Sequence, residues 1–461
     1  MTRKLTVGAA KLCISPTPDM FPVPVAVPNA MYEEVKEGQD LHVRAIVADN
    51  GEKRILFLAF EAGGVPFPEE LLGYLKESYG FEPQDVLLSA THCHSMPRID
   101  HGNNRMKYLD PASRTDNMGR FATMVLQKAV EVVGLALKTM RPAKVGYGEG
   151  KSYLNINRDQ LFYEGYWMQG QNWEGPSDKT LAVVEFKDEQ DNVIAAILNY
   201  ACHSVTNFVQ KDFDGKYKVS GDFPAVCCDW LERHFGNGAI IAWQSGAAGN
   251  QNPVMAFGGR RYDLLGTNYS DFSSGAVGAS YINCVTMGEQ HAIDALKAME
   301  KITFFTSDPE IKTYDGQVCF KGQKFPEGID RAKHRWMVDN IALGLDGWKP
   351  GEPLHKELAE MIPTDEQIPA RTQLVVVGDT AFYGFNAELY NEIGVLCKEV
   401  SPFKHTIVTT HTGVSVGYIL DDASKDHKVF QYFGNIHHGE SNKIVTDGMM
   451  ALFNRYYNGE E

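Results

Sequence analysis

Short apolar runs that alternate with amphipathic helical segments constrain this chain more than any other feature. Runs at 55–60, 85–91, 180–186, 193–200, 239–243, 373–377, 381–385 and 405–410 have the length and residue types of buried strands. Over 116–140, Phe121, Met124, Val125, Val132, Val133 and Leu137 recur at helical spacing, and Arg141-Pro142 stops the helix. Further helices are expected at 68–75, opened by Pro68 and two glutamates, and near 225–234, 287–299, 330–343 and 389–400. Such alternation predicts an α/β (mixed α+β) core. No repeat or low-complexity linker divides the chain, so one large domain over 1–461 is expected, with the polar, irregular segment 308–370 as a candidate insertion. With 461 residues and 43% hydrophobic content, a sizeable core is within reach.

The net charge of −15 disfavours nucleic acid, which binds through clustered Lys and Arg. No stretch approaches a membrane span, and the start, Met1-Thr2-Arg3-Lys4-Leu5, has no apolar core of a signal peptide. The eight scattered cysteines form no CxxC pair and read as reduced, mostly buried thiols. The expectation is a cytoplasmic protein acting on a small molecule, with its oligomeric state left open.

Chemistry concentrates where strands end. The run 85–91 finishes in His92-Cys93-His94-Ser95, and histidines at i and i+2 on a strand share a side. Imidazole is the commonest ligand of zinc-like ions, and a catalytic site needs about three such donors. The strand 193–200 ends in Ala201-Cys202-His203. Ser220-Gly221-Asp222-Phe223-Pro224 enters a helix, with Asp222 placed to cap it. Gln244-Ser245-Gly246-Ala247-Ala248-Gly249-Asn250-Gln251-Asn252-Pro253 follows a strand, and its glycines permit close backbone approach. Asn386-Ala387-Glu388 leads from a strand toward a helix, and Val416-Gly417-Tyr418 lies on or after a late strand. His42, His234, His291 and His405 read as satisfied polar residues, and His437-His438 as an exposed loop.

In order and spacing these segments resemble the neutral (non-lysosomal) ceramidase family from Val7 to Tyr418. The resemblance implies one catalytic zinc, held by His92, His203, Glu388 and Tyr418. It implies that His94 contacts the substrate or the zinc-bound water, and that Arg158, in Asn155-Ile156-Asn157-Arg158, stabilises negative charge. The activity implied is zinc-dependent hydrolysis of an acyl bond, amide or ester, with Asn252 and the backbone from Gly246 to Gly249 binding substrate.

The departures from that family bear on substrate. Asn252 stands where the family has a serine, and the family's Pro-Gly-Glu turn reads Asn386-Ala387-Glu388. A second family tyrosine falls on Phe430, with Tyr432 displaced but close enough to bind substrate. The chain ends at Glu461, short of the family's C-terminal β-sandwich. Two alternatives therefore stand beside ceramide hydrolysis: a zinc hydrolase of a small polar ester, lactone or sugar-derived compound, and a non-catalytic ligand-binding relative.

Overall fold

Strands buried on both faces dominate the computed structural model, which describes residues 4–24, 31–97, 99, 117–161, 167–208, 210–256, 279–327, 360–435 and 437–460. Three sheets share one apolar centre, and helices cover their outer faces.

The first sheet has the order Val86–Ala90, Arg54–Phe60, His42–Asp49, Thr6–Cys13, Arg141–Pro142. Its residues split by parity, as a pleated strand requires. Leu56, Leu58 and Phe60 join one core with the helices Pro68–Tyr79 and Asn117–Lys138. Ile55, Phe57 and Ala59 face the opposite way, into the shared centre. The second sheet runs Ile240–Ser245, Val193–Tyr200, Thr180–Lys187, Lys144–Lys151. It gives Val184, Phe186 and Ile197 to the centre and packs its other face on the helices Asp222–Phe235 and Ala279–Met299. The third sheet runs His405–Thr409, Thr380–Phe385, Ile362–Val377, Ile311–Lys324, His437–His438. It gives Val375, Phe382 and Ile407 to the centre and lies under the helices Asn391–Val400 and Ser441–Tyr457. Strands covered on both sides read as near-continuous apolar runs, which is why the sequence shows them so clearly.

A buried ion network fastens the first sheet to the helix Asp222–Phe235. Arg44 donates through Nε to Glu232 at 2.8 Å, through Nη2 to Asp229 at 2.9 Å, and through Nη1 to Glu61, while Lys11 Nζ meets Glu232 at 2.6 Å. Removing one partner from such a network strands a buried charge, at a cost of about 3–5 kcal/mol.

Most elements fall where the sequence puts them. The helix expected over 389–400 begins later, at Asn391, so Glu388 does not open it. The ends of segment 308–370 are long antiparallel strands of the third sheet; residues 328–359, including the helix expected near 330–343, lie outside the described residues. His437-His438 is not a loop, although His438 is exposed as expected. The pair forms a short strand against Lys321 and Gly322, and His437 is buried with Nε2 donating to the Val416 carbonyl at 2.8 Å. Six of the eight cysteines are buried, and all eight are free thiols. Among the described residues no helix is long and apolar enough to cross a membrane.

One topological detail positions the site. Each sheet is mostly antiparallel but has a parallel pair at one edge: Arg54–Phe60 with Val86–Ala90, Val193–Tyr200 with Ile240–Ser245, and Thr380–Phe385 with His405–Thr409. His92, His94, His203, the glycine-rich loop and Glu388 follow C-terminal ends of these paired strands, where open α/β sheets gather ligands, whereas Arg158 lies within the separate strand Asn155–Leu161.

Candidate metal centre

His92 follows Val86–Ala90 in a left-handed conformation, φ 57°. The flanking backbone fixes it: Thr91 N donates to the Phe60 carbonyl and Cys93 N to the Ala62 carbonyl, both at 2.9 Å. His94 is held by its own N–H to the Ser204 carbonyl at 3.3 Å, which ties it to the loop after Val193–Tyr200. That loop carries His203, whose N–H donates to the Gln251 carbonyl at 3.0 Å.

The side chains converge. His92 and His203 are both buried, and their Nε2 atoms lie 3.3 and 3.2 Å from the same Glu388 oxygen, Oε2. The opposite ring atoms are already used. His92 Nδ1 is 2.6 Å from the Gly63 carbonyl, and His203 Nδ1 is 2.7 Å from that of Ala248 and 3.1 Å from that of Gln251. A carbonyl only accepts, so both Nδ1 atoms carry a proton, and in the neutral ring the Nε2 atom presents a lone pair. Burial first, and then the Arg158 charge, push His203 down to about 4, which keeps it neutral at pH 7. A cation among these donors would face the Glu388 carboxylate and the lone pair of a neutral His203 together.

These donors fit a divalent cation. Imidazoles whose far nitrogen is bonded to backbone carbonyls are oriented as metal ligands are. Donors held about 2.0–2.1 Å from a tetrahedral ion stand roughly 3.3 Å apart, the spacing seen at Glu388. The buried Nε2 atoms of His92 and His94 make no hydrogen bond; the 3.3 Å contact of His92 with Glu388 is close but poorly directed. Two groupings of donor atoms within 4.8 Å of one another occur among the described residues, His92-His94-His203 and His92-Glu388-His411. His411 has no counterpart in the sequence expectations. It is buried and stacks on His92 with ring centroids 4.0 Å apart. Its position directly after the strand 405–410 is the same signal that marks His92 and His203.

Glu388 and Tyr418 reach the site together. Glu388–Leu389 and Tyr418–Ile419 form a two-residue parallel ladder in which Glu388 is the register partner of Tyr418. Burial, and then the Glu388 carboxylate, push the Tyr418 phenol well above its usual range. The glycine-rich loop braces this ladder: Gly249 N donates to the Leu389 carbonyl at 2.7 Å. A Cβ on Gly249 would stand 2.8 Å from the Glu388 carbonyl oxygen, so a side chain does not fit there. The Gly246 carbonyl accepts from Thr410 Oγ1 at 2.8 Å.

Arg158 lies in the same assembly. It is buried, with Nη1 donating to Asn252 Oδ1 at 3.2 Å and Nη2 to the Gly249 carbonyl and, at 3.1 Å, to the Tyr418 hydroxyl. Asn252 pairs in register with Ile156 on the strand that carries Arg158, and its Nδ2 is buried without a partner. Tyr432 is half-buried on the short helix Phe430–Gly434, which approaches the site at Gly434, 3.8 Å from the Tyr418 ring as measured from an added Cβ. Phe208 stands edge-on to His94, centroids 5.6 Å apart. Asp222 begins its helix and accepts from Asn207 N and Phe223 N, away from the ligand cluster in its bonding. His291 is a satisfied core histidine between Ser152 and Trp243.

The fold and the site define a class: a mixed α/β domain whose strand ends carry a buried histidine–carboxylate centre able to hold a cation. No family model matches the chain. A neutral ceramidase of Drosophila pseudoobscura pseudoobscura is 25% identical over 224 residues, which is 44% of this chain and 29% of that protein. The crystal structure of neutral ceramidase from Pseudomonas aeruginosa superposes with a TM-score of 0.70 at 15% identity, over 99% of this chain and 75% of that one. A ceramidase complexed with C2 gives 0.68 at 16% identity, over 98% of this chain and 76% of that one. The chain is similar to these neutral ceramidases, spans under a third of the length of the Drosophila protein, and shares the fold of the two solved structures.

Proposed function

We propose that this protein is a zinc-dependent hydrolase of an acyl bond, amide or ester, with a small-molecule substrate. The observation that carries the reading is the convergence of two carbonyl-pinned imidazoles on one carboxylate oxygen, an arrangement that a divalent cation would satisfy. His92, His203 and Glu388 would hold the ion, with Tyr418 alongside. When bound, zinc supplies Lewis acidity that polarises the scissile carbonyl and acidifies water.

The remaining residues do the rest of the work. His94 is kept neutral by burial, and next by the neighbouring His92 and His203, which push its pKa well below the ordinary value. A neutral imidazole with an unpartnered Nε2 can take a proton from the attacking water and return it to the leaving group. Arg158 is fixed by Asn252, Gly249 and Tyr418, so its charge is already aimed when the acyl oxygen becomes negative. Asn252 binds rather than attacks, because an amide is no nucleophile, and its free Nδ2 can donate to a substrate oxygen. Gly246 and Tyr432 would add to substrate binding, and Phe208 gives His94 an apolar neighbour.

The test is hydrolysis by zinc-loaded protein of a short-chain fluorescent ceramide and of a matched series of small polar amides and esters. Activity on any acyl substrate that is lost on chelation and restored by zinc supports the reading. Full zinc loading with no hydrolysis across the series would refute it.

A further inference from the structure

We infer that Asp222 is a positioning residue for the reaction proposed above: through a single turn it fixes His94 and the loop 203–208 against each other. The inference rests on that reading and adds to it a buried carboxylate that acts through His94 and Phe208.

The turn Ser220-Gly221-Asp222 grips both segments that carry the candidate histidines. On one side, Ser220 N donates to the Ser95 carbonyl at 2.8 Å, and the Cys93 thiol donates to the Ser220 carbonyl at 3.0 Å. Both neighbours of His94 are thus tied to the turn. On the other side, Asp222 Oδ2 accepts from Asn207 N at 2.9 Å. The next residue is Phe208, whose ring stands edge-on to His94. The two segments also meet directly: His94 N donates to the Ser204 carbonyl at 3.3 Å, and Ser204 Oγ to the Thr91 carbonyl at 2.5 Å. Asp222 therefore closes a ring of contacts that runs from the His94 segment through the turn to Asn207 and back. His203, at the far end of the same loop, is anchored separately, through the carbonyls of Gln251 and Ala248. Releasing Asn207 would loosen Phe208 and the support of His94 while leaving His203 in place.

Asp222 is shaped for this contact rather than for its helix. Gly221 takes the N-cap position, and no side chain caps the helix there. Asp222 is fully buried and left-handed, φ 59°, a conformation that persists only where surrounding contacts enforce it. Its own N–H donates to Ser220 Oγ at 3.0 Å, that hydroxyl donates to Gln39 Oε1 at 2.5 Å, and Ser280 Oγ holds Asn207 Oδ1 at 2.9 Å. Burial pushes the carboxyl up, and the Asn207 and Phe223 N–H groups act against that by bonding to its two oxygens, Phe223 N at 2.7 Å from Oδ1. A carboxylate accepts at both oxygens, whereas an amide accepts at one and donates from the other end. Asparagine also tolerates the left-handed backbone. Asp222→Asn thus keeps shape and backbone but sets an NH₂ against an N–H donor.

The test uses full-length, zinc-loaded protein and the substrate of the series above that the wild type turns over. Hydrogen exchange reads the Asn207 amide, and kinetics compare Asp222→Asn, His94→Ala and the double variant. Expected are a protected Asn207 amide in the wild type and exchange at least about ten-fold faster in Asp222→Asn. Zinc content should be unchanged, and kcat about 10–100-fold lower with KM little altered, the effect of a misplaced catalytic group. In the double variant the two losses should not multiply, because Asp222 acts through His94. Losses that multiply, or a fall in zinc content that matches the fall in kcat, would make Asp222 a general structural support and overturn the inference. An Asn207 amide that exchanges freely in the wild type overturns it whether or not any variant folds. A wild type that hydrolyses nothing in the series refutes the functional reading and this inference with it.

Discussion

Arg158 shows how much of the site's chemistry hangs on single side chains. Its guanidinium is divided among three fixed acceptors, a geometry that a lysine ammonium on a flexible stem does not reproduce. Arg158→Lys should therefore lower kcat by about 10²–10³ while zinc content is unchanged, as removal of a preorganised donor does. Steady-state kinetics with parallel metal analysis check it; a change confined to KM would show that Arg158 only binds substrate. At this scale the sequence was informative where a histidine ended a strand, as at His92 and His203. His411 meets the same criterion, but no resemblance points to it. Local composition predicts an exposed His437, since Gly434-Asn435 and Gly439 surround it with loop-like residues. The burial comes from pairing with Lys321 and Gly322, more than a hundred residues earlier, which local composition does not encode.

Among the elements, the glycine-rich loop is a clamp. It donates from Gly249 to Leu389, accepts at Ala248 from His203 and at Gly246 from Thr410, and sends Asn250 Nδ2 to Glu392 at 2.8 Å. Gly249→Ala would force a methyl against the Glu388 backbone at 2.8 Å. The expected result is a loss of about 1–3 kcal/mol in stability by denaturant titration, together with weaker zinc binding, since the displaced strand carries Glu388, a proposed ligand. Unchanged affinity would mean that the loop does not hold Glu388. Glu392, in the first turn of the helix Asn391–Val400, gives a pH prediction. Burial pushes its carboxyl up to about 7 from 4.5, with Asp421 adding to the effect. A raised folded-state pKa favours the protonated native form, so the stability it contributes is complete below about 4.5 and is lost as pH rises through about 7. Denaturant midpoints measured from pH 5 to 8 should fall with pH in the wild type, and less steeply in Glu392→Gln. The sequence marked this helix but began it at 389, since Leu389 continues the apolar pattern. The tertiary pairing of Glu388 with Tyr418 keeps those residues extended.

For the whole molecule, the decisive feature is the apolar centre shared by three sheets. Phe57 of the first sheet meets Phe382 of the third with ring centroids 4.9 Å apart, and both are fully buried. Phe57→Ala should cost about 3–5 kcal/mol and lower zinc affinity as well, because the three sheets whose ends bear the proposed ligands no longer lock together. Calorimetry should show one cooperative transition; a separate transition for the third sheet would contradict a shared core. The strands themselves were legible because burial on both faces makes them continuous apolar runs. Their grouping into three sheets, each with one parallel edge, was not, since pairing register leaves little trace in a single sequence.

The central claim is that strand ends from those sheets hold one ion, and elemental analysis tests it most directly. Wild-type protein purified without chelators should contain about one zinc per chain, the stoichiometry of a single catalytic site, and the His92→Ala, His203→Ala double variant should contain none. A folded wild type with no metal, and none taken up from added zinc, would contradict the account.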